Sequence, residues 1–136
     1  SPKKRTPAGK MAAELGIIHC YYEKDYWAAA VKECGGIQNM PTKKQLIMLA
    51  NDLYNTNTIG DSGKADNLSL DYEKVKKMGI TPNVGYAGGL KGFGIWSGEE
   101  KSTSGYEVYV QQFKPKGADT WFSRGASYTY GICLDK

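Results

Sequence analysis

The chain has 136 residues, 40% of them hydrophobic, and carries 18 Lys and Arg against 14 Asp and Glu, a formal net charge of +4. Lys3, Lys4, Arg5 and Lys10 hold the whole excess, and residues 11–136 carry 14 charges of each sign, so the neutral body offers no long-range attraction for nucleic-acid phosphates. No window reaches the roughly 20 apolar residues of a membrane span. The opening Ser-Pro-Lys-Lys-Arg-Thr-Pro lacks the apolar core of a signal peptide, so membrane association would need an anchor upstream of Ser1.

Residues 1–14, polar and charged with prolines at 2 and 7, predict a flexible basic tail or linker, and residues 15–136 a single domain. Leu15–Glu23 is rich in strand formers and predicts an opening strand. Asp25 then caps a helix whose Trp27, Ala30, Val31 and Cys34 fall at i, i+3, i+4 and i+7, ended by Gly35-Gly36. Thr42 and Gln45 form a capping-box pair opening a second helix over 42–54, with Leu46, Leu49, Ala50 and Leu53 on its apolar stripe. The Asn/Gly/Asp-rich stretch 55–68 predicts a loop, and Leu70–Met78 a short helix stopped by Gly79. From there glycines, aromatics and alternating runs predict strands at Phe93–Ser97, Tyr106–Phe113, Thr120–Ser123 and Tyr128–Leu134. The fold class is α+β, helices first and then an antiparallel sheet.

The motifs that suggest chemistry are incomplete. Gly60-Asp61-Ser62-Gly63-Lys64 echoes a serine-protease nucleophile loop, but the chain has one histidine, His19, inside a predicted core strand. A phosphate-binding P-loop needs four residues between its glycines and a Ser or Thr after the lysine; here there are two, followed by Ala65. The glycines of 85–94 lack the strand-to-helix setting of a dinucleotide site and read as turns. Asn67-Leu68-Ser69 fits a glycosylation sequon, a pattern too common by chance to carry weight. Cys20, Cys34 and Cys133 contain no C-x2-C pair, so an ordinary zinc site is not predicted; the spacing admits one disulfide with a spare thiol or three reduced cysteines. Without a second histidine or a carboxylate pair, no acid–base machinery assembles. The expectation is a noncatalytic domain with no metal and no cofactor.

Aromatic residues supply the asymmetry: nine of 16 lie after residue 92, interleaved with Ser, Gly, Gln and Thr. Rigid amphipathic rings beside small polar residues suit an adaptable binding surface, because they give contact area at low entropic cost. In the strand over 106–113, Tyr106, Val108 and Val110 share one face and Glu107, Tyr109 and Gln111 the other.

Trp27-Ala-Ala-Ala-Val-Lys-Glu-Cys34 in a first helix, Met40-Pro-Thr-Lys-Lys-Gln-Leu46 opening a second, Gly94-Ile-Trp-Ser-Gly-Glu-Glu100 entering the sheet and Gly131-Ile-Cys133 in the last strand occur in an order that resembles the C-type lectin fold. The resemblance spans roughly residues 15–135 and implies two helices followed by a twisted antiparallel sheet with long loops. It also implies a Cys34–Cys133 disulfide, hence an extracellular or cell-surface location, with Cys20 as the odd thiol. The Glu-Pro-Asn or Gln-Pro-Asp and Trp-Asn-Asp signatures of calcium-dependent sugar binding are missing, so that activity is not implied. Within the fold, the chain is similar to the lectin-like variable proteins of diversity-generating retroelements. By that resemblance the ligand surface comprises Lys101, Ser104, Tyr106, Glu107, Tyr109, Gln111, Trp121, Ser123, Arg124, Ser127, Tyr128 and Tyr130, with Trp96, Phe113 and Ile132 as framework, and the partner is a protein or glycan on another cell or surface. The alternative expectation is a pilin-like or cell-surface structural subunit whose aromatic face makes subunit contacts.

Overall fold

The computed structural model describes residues 2–10, 25–86, 90–100, 107–125 and 129–134. The strand predicted over 15–23, with His19 and Cys20, lies outside the described residues.

The architecture is α+β. Helices α1 (Tyr26–Cys34), α2 (Lys43–Leu53) and α3 (Tyr72–Lys77) accompany strands β1 (Pro2–Ala8), β2 (Ala65–Asp66), β3 (Asn83–Tyr86), β4 (Leu90–Glu100), β5 (Val108–Lys114), β6 (Gly117–Phe122) and β7 (Thr129–Leu134). The strands follow the order β1-β7-β4-β5-β6-β2, with β3 pairing β4 in a hairpin drawn from the glycine-rich stretch. Two expectations change. Residues 2–8, predicted as tail, form β1 along β7, with Arg5 opposite Ile132 and Ala8 opposite Tyr130. Prolines suit this position, because β1 ends the strand order and an edge strand need not donate every N–H. The sheet is also mixed and not purely antiparallel: β4 and β7 run parallel, Gly94 opposite Thr129 and Ile95 opposite Tyr130.

Local chemistry sets the helices. Asp25 accepts the Ala28 amide at 3.1 Å, and Gly35 closes α1 in the left-handed conformation at φ 82°. At α2 both halves of the capping box form: Gln45 N donates to Thr42 Oγ1 at 3.1 Å and Thr42 N to Gln45 Oε1 at 2.9 Å.

Strand alternation sends β5 in two directions, and both are buried. Val108 and Val110 pack with Trp96 against Trp27, Ala30 and Met40 on the α1 side. Tyr109 and Phe113, with Phe93, Ile95 and Ile132, pack against Leu46, Ala50, Leu53 and Tyr54 on the α2 side. Helix α1 is held to the C-terminal strands at both ends. Its cap Asp25 pairs with Arg124, and its last residue, Cys34, is disulfide-bonded to Cys133 of β7, as the resemblance implies. Closing a loop of 99 residues removes unfolded-chain entropy equivalent to about 4.7 kcal/mol in the chain-entropy model.

Candidate functional site

The region that the sequence marks for ligand contact divides, in the structure, into a buried polar lock, a clamp and an exposed ring. Lys101, Ser104, Tyr106, Ser127 and Tyr128 lie outside the described residues.

Tyr109 and Gln111 form the lock. Both point to the α2 side of β5 and are buried, at 2% and 0% exposure, so neither lies on the ligand surface that the resemblance implies for them. The Tyr109 hydroxyl donates to Gln111 Oε1, and Gln111 Nε2 donates to Gly63 O at 2.8 Å and to Asp119 O at 3.0 Å. This fastens the Gly60–Lys64 loop onto the sheet and gives that motif a structural role. Gly63 sits at φ 69°, and a Cβ there would stand 2.6 Å from both Gln111 Oε1 and the Tyr109 hydroxyl. Lys43 Nζ lies 5.1 Å from the centroid of the Tyr109 ring, while the Lys43 amide donates to Glu99. Burial, and secondarily the negative charge of Glu99, push the Tyr109 hydroxyl far above the ordinary tyrosine range, so it stays protonated and able to donate.

Arg124 forms the clamp. Its Nε and Nη2 donate to the two carboxylate oxygens of Asp25 at 3.0 and 2.7 Å. Asp25 is fully buried, and the Arg124 side chain is 16% exposed. Its guanidinium carbon stands 4.7 Å from the centre of the Trp27 ring, its Nη1 lies 3.8 Å from Glu100 Oε2, and its carbonyl accepts the Trp27 amide at 3.0 Å. One guanidinium thus joins the cap of α1, the end of β4 and the turn after β6. Ser123 is held in the same way: its amide donates to Val108 O at 3.1 Å, its carbonyl accepts Trp96 Nε1 at 3.0 Å, and its hydroxyl accepts the Gly125 amide at 3.2 Å.

Trp121 forms the exposed part. It faces Val110 across the β5–β6 ladder and therefore projects on the α1 side, yet it is 53% exposed. The strand β2 pairs only with Gly117 and Ala118, so among the described residues the 119–122 stretch is the outer strand of the sheet. Glu107 is half-buried and immediately precedes β5. Tyr130 is half-buried on the α2 side, where its hydroxyl donates to Thr81 O at 3.2 Å and its ring meets Phe93 edge-on.

The sequence marks Asp25 as a helix cap but not as a partner of Arg124, and it does not mark Glu100, because ion pairs between residues so far apart in the chain leave no local pattern. Among the described residues, no group of three or more His, Cys, Asp or Glu could hold a metal ion, and no helix is long and apolar enough to cross a membrane. The framework residues Trp96, Phe113 and Ile132 are fully buried. No family model, curated protein or solved structure matches the chain.

Proposed function

We propose that the chain is a noncatalytic, surface-displayed ligand-binding domain of C-type lectin-like fold, a variable protein of a diversity-generating retroelement, that captures a protein or glycan through a face centred on Trp121. The observation that carries this reading is an indole 53% exposed on a strand whose neighbours are locked by Ser123 and Arg124. A large ring in solvent on an immobile support offers stacking area with little entropy left to lose on binding. The helix-to-last-strand disulfide supports the lectin-like assignment and an extracellular or cell-surface setting. In this reading Arg124 supports the surface and does not touch ligand, and Tyr109 and Gln111 belong to the scaffold.

Two experiments test it. A glycan microarray and an array of purified bacterial surface proteins, probed with the disulfide-bonded chain, are expected to give hits that Trp121→Ala abolishes at unchanged melting temperature. Hits that survive the substitution would move the binding face elsewhere. Sequencing the locus tests the retroelement component: a nearby template repeat differing at adenines supports it, and the lack of one removes that component.

A further inference from the structure

Helix α2 carries a second surface, on the sheet face opposite Trp121. Lys44, Met48 and Asp52 are exposed, Met48 at 63%. They are spaced one helical turn apart and so lie along one stripe. Met48 is a ridge between two grooves: one of about 310 Å³ reaching Ile132 and Leu134 of β7, the other of about 690 Å³ reaching Ile59 and Glu99. Asp52 uses Oδ1 to pair with Lys74 at 3.1 Å and remains 63% exposed.

This stripe is complementary to itself. When a second α2 is laid antiparallel with Met48 on the two-fold axis, each Lys44 meets the partner subunit's Asp52, twice by symmetry, and each Met48 ridge has a groove on either side to enter. A stripe of one charge sign, or with its apolar residue off-centre, would not match itself in this way. We infer that α2 is a homodimer interface, with Met48 at its centre and reciprocal Lys44–Asp52 pairs at its ends. The inference does not rest on the ligand-binding reading, although it extends it: pairing through α2 leaves both Trp121 faces open, and two linked faces raise avidity for a repetitive surface.

Sedimentation equilibrium of the disulfide-bonded chain, from micromolar to millimolar concentration, tests the interface. Wild type is expected to show a reversible monomer–dimer equilibrium. Met48→Glu, which sets two carboxylates at the axis, is expected to sediment as monomer with an unchanged melting curve, since Met48 is exposed. Lys44→Asp and Asp52→Lys alone are each expected to weaken association about tenfold, as two attractive contacts become repulsive, and the double exchange K44D/D52K to restore it. A wild type that stays monomeric throughout, dimerisation indifferent to Met48→Glu, or a double exchange no tighter than the single variants overturns the interface. Association lost in Trp121→Ala but retained in Met48→Glu would assign self-contact to the aromatic face and likewise overturn it.

Discussion

Removing the Asp25 carboxylate tests the clamp most severely. In Asp25→Ala the Ala28 amide loses its 3.1 Å cap, and Arg124 loses both oxygens of its bidentate partner. Loss of an N-cap costs about 1 kcal/mol. Stripping one member from a buried pair costs about 3–5 kcal/mol, because a desolvated charge is left unmatched. The two losses share one carboxylate and do not simply add, and Glu100, 3.8 Å from the same guanidinium, recovers a little. A net destabilisation of about 4 kcal/mol follows, which for a chain of this length lowers the melting temperature by about 12 °C. Asp25→Asn separates the contributions: asparagine caps as well as aspartate, so it isolates the loss of charge, and Arg124→Met paired with it should recover much of that loss by putting apolar volume in place of the ion pair. Urea unfolding followed by circular dichroism reads all three variants. A loss below about 1 kcal/mol for Asp25→Ala would place the pair among weak surface contacts and refute the clamp.

Further outcomes follow from the lock and the staple. Gly63→Ala should cost about 3 kcal/mol, about 1 from the left-handed backbone and the rest from displacing Gln111 and Tyr109; an unchanged urea midpoint would show that the loop shifts freely. Cys34→Ser with Cys133→Ser should lose about 4–5 kcal/mol, and intact mass after alkylation should differ with and without reductant; equal masses would deny the bond in solution. Because the folded state holds the Tyr109 pKa above its unfolded value near 10, the stability linked to this proton is complete below pH 10 and declines as pH rises beyond it. Tyr109→Phe should therefore flatten the alkaline limb of the stability–pH curve while lowering the neutral plateau, and parallel curves for the two proteins would contradict the assignment.

What the sequence made legible was local. The α1 and α2 stripes, the Asp25 cap and the Thr42–Gln45 box all act within one or two turns, and the helices form where those signals place them. The strands after residue 90 stand within a few residues of their alternating runs. What escaped was set by distant partners. The charged, proline-bearing start gives no hint of β1, because its order comes from the backbone of β7, at the other end of the chain. Parallel pairing of β4 with β7 is likewise a matter of topology. Alternation correctly grouped Tyr109 with Gln111, but not what covers them: that is Gly63, 48 residues before Gln111. Arg124 read as a surface cation because its buried partner lies 99 residues earlier. The Cys34–Cys133 pairing was reached only through resemblance, since the spacing left other states open.

The proposed function requires Trp121 to act on ligand and not on fold, and Tyr109 to act on fold alone. Thermal melting and array binding of Trp121→Ala and Tyr109→Ala, measured side by side, separate these roles. Trp121→Ala is expected to melt like wild type and lose its array signals, while Tyr109→Ala melts at least about 10 °C lower, as expected for a buried aromatic replaced by alanine. A Trp121→Ala protein that melts early, or that binds as wild type does, would overturn this division of roles.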